Sequence, residues 1–547
     1  MAAVQTVLEI RNLTVELPPW ADRPQAVSDF SLALRQDEIL CVVGESGSGK
    51  SVMSRAVMGL LPAPHVRASA GEILLDSEDL LEASPARLRE IRSRCISMIF
   101  QEPMTALNPV MTIGRQIEEV IKVHTNLPKA ERIARIRDLL VAVNLPERDK
   151  LLRAYPHQLS GGQRQRAMIA MALILEPVVL IADEPTTALD VTTQGQILTL
   201  IKEIQAKRHM GVLFITHDFG VVAEIADRVA VMQHGRLVEF GERDRVLNAP
   251  QHPYTQSLIA AVPRLIPRPH RPPDECQPVL ATSDLDKAYR SGGLFGRGRR
   301  VVHAAKAVSL EIRRGETLGI VGESGSGKST VARCITRLID ADAGRILLDK
   351  VDLQPLTRKQ LRRYRERIQM VFQDPYASLD PRCTVVDLIS EGPLIHGVER
   401  NEALARTYEL LELVGLDRRV ADRYPQEFSG GQRQRIGIAR ALALRPEVLV
   451  ADEPVSSLDV SVQAQVLQLF SNIRDRFNLA MLFITHDLRV AAQVCDRIAV
   501  MKLGEIVEQG PTAEVFARPR HLYTVELLKA VPGRAWEEQR PLAVASV

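Results

Sequence analysis

The chain has 547 residues, 25% charged and 46% hydrophobic, too long for one compact domain and ordinary for a globular protein. Its net charge of +3, with Lys and Arg mixed among Asp and Glu, is too mild to argue for nucleic acid, and none is expected as a partner. The six cysteines form no C-x-x-C pair, and residues 1–11 lack the basic-then-apolar layout of a signal peptide. No apolar run reaches the length of about 18 residues that a membrane span needs. The expectation is a cytosolic protein with reduced thiols, Cys41 and Cys334 among the buried ones, that meets a membrane only through partners.

Residues 4–17 alternate apolar and polar side chains (Val7, Leu8, Ile10, Leu13, Val15) and read as edge strands. The apolar run Ile39-Leu40-Cys41-Val42-Val43 reads as a buried strand and runs into Gly44-Glu45-Ser46-Gly47-Ser48-Gly49-Lys50-Ser51. This octamer fits the phosphate-loop pattern at every fixed position: its glycines let backbone N–H groups wrap a triphosphate, its lysine adds positive charge and its serine hydroxyl can hold Mg²⁺. Residues 52–58 read as a helix whose N-terminus favours anions. A short strand at 71–76, a basic helical piece at 86–93 and a buried strand at 96–100 ending at Gln101 follow. Residues 107–153 carry helical periodicity with charged faces. After Leu159-Ser160-Gly161-Gly162-Gln163 a helix extends through Ala172, and the strand 178–182 runs into Asp183-Glu184. A helix over 193–206 leads to the strand 212–216 and His217. Strands alternating with helices, and apolar runs of about five, predict a mostly parallel sheet covered on both faces.

The second half repeats the order. The octamer returns letter for letter as Gly322-Glu323-Ser324-Gly325-Ser326-Gly327-Lys328-Ser329, an offset of 278. Gln101 and Gln373 are 272 apart, while Ser160 and Ser429, Asp183 and Asp452, and His217 and His486 are each 269 apart. From the serine–glycine turn to the histidine the copies are in register, which marks a domain duplication. The chain therefore divides into a first domain at 1–262, a Pro/Arg-rich linker at 263–279, a second domain at 280–532 and a tail at 533–547. Each half also has an apolar strand ending in Asp-Glu, at 183–184 and 452–453. At a strand end beside a phosphate loop, the first carboxylate can bind Mg²⁺ and the second can polarise an attacking water.

With Leu-Ser-Gly-Gly-Gln at 159–163 and Phe-Ser-Gly-Gly-Gln at 428–432, the chain resembles an ABC transporter ATP-binding protein with two fused nucleotide-binding domains. The resemblance covers about 5–262 and 280–532. It implies two tandem P-loop NTPase domains, each a RecA-like mixed sheet core with an antiparallel β subdomain and a helical signature subdomain. It also implies two composite ATP sites. In the first, Gly44, Ser46, Gly47, Gly49, Lys50 and Ser51 would bind phosphate and Mg²⁺, with Gln101 on metal and water. Asp183 would hold Mg²⁺, Glu184 would be the general base and His217 would touch the γ-phosphate. Ser429, Gly430, Gly431 and Gln432 would close that site, with Asp459 beside them. The second would use Gly322, Ser324, Gly325, Gly327, Lys328, Ser329 and Thr330 with Gln373, Asp452, Glu453 and His486. Ser160, Gly161, Gly162 and Gln163, with Asp190, would close it. The family stacks adenine on an aromatic side chain; Tyr289 fits that place in the second half, whereas the first half offers Leu17, with Trp20 out of step. Unequal nucleotide affinity is the expectation.

Within the family, Phe100-Gln101-Glu102-Pro103 and Phe372-Gln373-Asp374-Pro375, together with His252-Pro253-Tyr254-Thr255 and His521-Leu522-Tyr523-Thr524, resemble the peptide and nickel import ATPases. The resemblance implies ATP and Mg²⁺ as ligands, two transmembrane permease subunits and an extracytoplasmic solute-binding protein as partners, and a place on the cytoplasmic face of the inner membrane. Peptides are the first expectation for the solute, then nickel chelates, opines or glutathione. Many relatives carry a cysteine-rich segment that holds an iron–sulfur cluster; only Cys276 stands there, so no cluster is expected. A tandem ABC protein acting on ribosomes is the rival reading, and the short proline-rich linker argues against it.

Overall fold

A computed structural model describes residues 5–145, 148–187, 189–268, 277–291, 300–456 and 458–539. Residues 269–276 of the expected linker, Cys276 among them, and the tail beyond 539 lie outside these residues. The contacts divide the chain into two units, one built from 1–189, 193–262 and 532–547, the other from 190–192 and 263–531.

In the first unit the five-residue runs become strands Ile39–Val43 and Val179–Asp183, buried at every position, as is Gly211–Thr216. Full burial on both faces is why these strands read as continuous apolar runs rather than alternating ones. They form a six-stranded sheet in the order Arg236–Glu242, Arg228–Gln233, Ile39–Val43, Gly211–Thr216, Val179–Asp183, Ile96–Ile99. All neighbours are parallel except the first pair, which is antiparallel. A second, antiparallel sheet is made by Gln25–Arg35, Thr6–Glu16, Arg67–Leu75 and Glu78–Asp79. Leu8, Leu13 and Phe30 from this sheet and Leu40, Val42 and Ile181 from the parallel one share one apolar cluster. The Arg228 guanidinium ties the sheets together, donating to Glu38 Oε2 at 2.9 Å and Ala33 O at 2.7 Å.

The long periodic stretch 107–153 is several helices, Ile113–His124, Lys129–Ala142 and Arg148–Arg153 among them, the second starting after Pro128, where the missing proline N–H would have no partner within the helix. The first two pack beside the helix Gly161–Leu173, and Arg148–Arg153 packs on them.

The second unit repeats both sheets. Its parallel sheet runs Ile368–Val371, Val448–Asp452, Ala480–Thr485, Thr317–Val321, Arg497–Lys502, Glu505–Pro511. Its antiparallel sheet runs Arg300–Ile312, Leu280–Ser291, Ala343–Leu348, Val351–Asp352. The first linker residues are held here: Arg268 N–H donates to Ala492 O at 3.1 Å, and Leu265 packs against the apolar cluster. The C-terminal helix Arg534–Gln539 belongs to the first unit, where Trp536 is buried and its Nε1–H donates to Asn248 Oδ1 at 3.0 Å. Among the described residues no helix is long and apolar enough to cross a membrane.

Candidate active site

In the first unit the ends of four neighbouring parallel strands supply the site: the phosphate loop follows Val43, Gln101 follows Ile99, Glu184 follows Asp183 and His217 follows Thr216. This is the side of an open α/β sheet where ligands bind. The loop's shape is forced at Gly49, which caps the helix Lys50–Val57 at φ 105°. A Cβ there would lie 2.3 Å from Ala26 O, so only glycine fits; Gly327 repeats this at φ 111° against Ala304 O. Lys50 folds its ammonium back over its own loop, donating to Gly44 O at 2.7 Å and Glu45 O at 2.8 Å. Lys328 does the same to Gly322 O and Glu323 O, both at 2.8 Å. Arg23, which the sequence reading passed over, donates to Gly47 O from the loop between the first two strands.

Beside the lysine, Ser51 Oγ donates to Asp183 Oδ1 at 3.0 Å, and Ser329 Oγ to Asp452 Oδ1 at 2.8 Å. Burial comes first among the influences on both aspartates and holds their carboxyls above the usual range, against the pull of the serine hydroxyls. A serine hydroxyl paired with a carboxylate is a set of hard oxygen donors, which suits Mg²⁺.

Glu184 is the most heavily engaged group. Its carboxylate accepts from Gln101 Nε2 at 2.8 Å and Thr187 Oγ1 at 3.0 Å, and lies 3.2 Å from His217 Nδ1. Burial alone would raise its pKa; the hydrogen bond and charge of His217, with Lys50 and Thr187, outweigh burial and bring it to about 2. In the second unit Glu453 accepts from Gln373 Nε2 at 3.0 Å and lies 3.2 Å from His486 Nδ1. Burial again opposes it, but the hydrogen bond and charge of His486, with Lys328, lower its carboxyl, while Glu453 raises His486 against the opposing effect of burial. Both glutamates adopt left-handed backbone at φ 48° and 46°, uncommon for a residue with a Cβ and costing on the order of 1 kcal/mol. The N–H of each donates into the neighbouring strand, Glu184 to Ile215 O and Glu453 to Ile484 O, both at 2.9 Å. One asymmetry was not legible beforehand. Where Thr187 serves the Glu184 carboxylate, Ser456 turns its hydroxyl to Glu453 O at 3.1 Å.

The serine–glycine turns begin helices. Ser160 caps Gly161–Leu173 by accepting Gln163 N–H at 3.3 Å, while Gln163 Oε1 accepts Ser160 N–H at 3.1 Å. Ser429 and Gln432 close the same reciprocal box on Gly430–Leu442. The two glycines of each turn differ. A Cβ on Gly162 would lie 2.7 Å from Thr193 Cγ2 and one on Gly431 2.3 Å from Val462 Cγ1. One on Gly161 would meet nothing within 4 Å, and one on Gly430 only Leu458 Cδ2 at 3.9 Å. The second glycine is needed for packing; the first leaves the helix N-terminus open, as an anion site requires.

Asp459 precedes the helix Val460–Phe477, and Asp190, grouped with the second unit, adds negative charge facing Lys328 there. Tyr289 is 45% exposed with the Lys287 ammonium 5.9 Å from its ring centre, whereas Leu17 packs against the apolar cluster of the first unit. The structure also joins two residues that the sequence reading used only as family markers: Tyr254 OH accepts Glu45 N–H, and Tyr523 OH accepts Glu323 N–H, each at 3.1 Å.

The family profile described as ABC transporter matches residues 27–187 and 305–456. A second, described as the oligopeptide/dipeptide transporter C-terminal region, matches 238–284 and 507–544. The chain is 48% identical over 569 residues to the glutathione import ATP-binding protein GsiA of Escherichia coli O157:H7, covering 98% of this chain and 91% of that one. GsiA of Salmonella choleraesuis (strain SC-B67) is 47% identical over 570 residues with the same coverage. A solved bacterial ABC transporter cassette covers 43% of this chain and 98% of its own at 30% identity, with a TM-score of 0.39.

Proposed function

Since this chain belongs to the ABC transporter ATP-binding proteins, as a tandem member of the peptide importer type, we propose that it powers uptake of a short peptide, glutathione foremost. It is an ATPase coupled to import, and such a subunit works with membrane permeases. The observation that carries the site assignment is the gathering of Gln101 and His217 on the Glu184 carboxylate beside the Ser51–Asp183 pair, repeated in the second unit.

Each residue then has a task. Lys50 and Lys328 release their loop carbonyls and take the outer phosphates of ATP. Ser51 with Asp183, and Ser329 with Asp452, would hold Mg²⁺, which when bound neutralises charge on the β- and γ-phosphates. Glu184 and Glu453 are the general bases. Gln101, Thr187 and His217 all engage the Glu184 carboxylate here, so we read the arrangement as a resting one. Glu184 becomes a useful base when Gln101 and His217 turn from it, Gln101 toward the attacking water and His217 toward the γ-phosphate. Ser160–Gln163 and Ser429–Gln432 would each serve the ATP held by the opposite half, a pairing supported by family resemblance and by the open first glycines. The exposed Tyr289 ring supports tighter adenine binding in the second half than in the first.

Two permeases and an extracytoplasmic binding protein on one inner membrane complete the proposal, with this chain on the cytoplasmic face. Its support is the likeness to importer ATP-binding proteins, whose subunits act with membrane permeases. Vesicles holding the full complex, given labelled glutathione and labelled dipeptides with ATP inside, test the solute. Glutathione uptake is expected to exceed dipeptide uptake. Dipeptide uptake with none of glutathione would reassign the solute.

A further inference from the structure

The residues His-x-Tyr-Thr that close each half form a relay to the phosphate loop. In the first unit the buried Glu239 carboxylate accepts the N–H groups of Gln251 and His252 at 2.8 and 3.1 Å. His252 Nδ1 then accepts Tyr254 N–H at 3.2 Å, capping the helix Pro253–Ala261. That cap sets the direction of the tyrosine, whose hydroxyl accepts Glu45 N–H at 3.1 Å. Glu45 is thereby fixed at both ends, because its carbonyl holds the Lys50 ammonium at 2.8 Å. The second unit repeats each link: Glu508 to Arg520 and His521 N–H at 2.8 and 3.1 Å, His521 Nδ1 to Tyr523 N–H at 3.2 Å, and Tyr523 OH to Glu323 N–H at 3.1 Å. There the Lys502 ammonium also lies 4.4 Å from the Tyr523 ring centre. Gln233 occupies that place in the first half. The segments joined are 209 and 200 residues apart in sequence, so local chain geometry does not account for the repeated contact.

We propose that Tyr254 and Tyr523 are positioning residues of the ATPase: each sets the first turn of its phosphate loop through the Glu45 or Glu323 N–H, so that the C-terminal segment of each half tightens when the loop closes on nucleotide and its lysine leaves the carbonyl of that residue. The proposal rests on the reading of 44–51 and 322–329 as ATP sites.

The test uses the full chain with Y254F and Y523F together, which keeps the rings and removes the hydroxyl acceptors. Loss of one ordinary hydrogen bond per site predicts a KM for ATP raised about fivefold with kcat within about twofold. Hydrogen exchange is expected to speed up in peptides covering 44–51 and 322–329. Wild-type KM and exchange would overturn the proposal, as would a lowered melting temperature with kcat reduced and KM unchanged. Should the variant fail to fold, the wild-type chain decides: adding ATP with Mg²⁺ is expected to slow exchange at 250–258 and 519–527 as well as in the loops. Protection confined to the loops would overturn the relay while sparing the ATP sites; no protection anywhere would refute the ATP reading itself.

Discussion

Substituting the two glycines of the second signature turn one at a time separates packing from ligand contact. In Gly431→Ala the new Cβ would sit 2.3 Å from Val462 Cγ1, well inside the 3.0 Å that real Cβ contacts respect. Val462 is β-branched and on a helix, so it has little rotamer freedom with which to yield. Overpacking of this kind costs about 1–3 kcal/mol. Alanine is better than glycine in a helix by up to about 1 kcal/mol, less in the first turn. The net expectation is a loss of about 1–2 kcal/mol, which lowers melting by roughly 2–8 °C for a unit of this size. In Gly430→Ala the nearest atom is Leu458 Cδ2 at 3.9 Å, so melting should hold or rise slightly. The new methyl then stands at the open helix N-terminus, and ATP hydrolysis should fall without any loss of fold. Differential scanning fluorimetry with a phosphate-release assay measures both. Unchanged melting in Gly431→Ala, or equal destabilisation by the two substitutions, would refute the division of roles.

Glu184→Gln combined with Glu453→Gln should retain ATP binding while turnover falls by at least about a hundredfold, the usual span of general-base catalysis; hydrolysis within tenfold of the parent would remove both glutamates from that role. The His486–Glu453 pair should also leave a pH signature. His486 is raised above 6.5, so its contribution is complete below 6.5 and lost as pH rises through the higher folded value. Glu453 is lowered below 4.5, so its contribution is complete above 4.5 and lost as pH falls. The melting gap between wild type and Glu453→Gln should be widest between about 4.5 and 6.5 and should narrow on either side. A gap that grows from pH 6.5 to 9 would contradict the pairing.

Much of the molecule was legible in the chain. Parallel strands buried on both faces read as near-continuous apolar runs, which is why 39–43, 178–182 and 212–216 stood out. The strands Gln25–Arg35, Arg228–Gln233 and Arg236–Glu242 and the short helices after His217 were not read, although Phe30 to Leu34 alternates and Val229 to Met232 is an apolar run; the third strand and the short helices carry no clean period. What the octamers, the Asp-Glu pairs and the serine–glycine turns settle alone is the local backbone and the groups it presents, since each turn is shaped by its own residues. Sheet order decides the rest. It brings Gln101 and Glu184 together across 83 residues, and Tyr254 to Glu45 across 209. Only packing separates a signature glycine that must be small from one that faces open space. Contacts between distant strand ends depend on which strands are neighbours, and no local pattern of side chains encodes that.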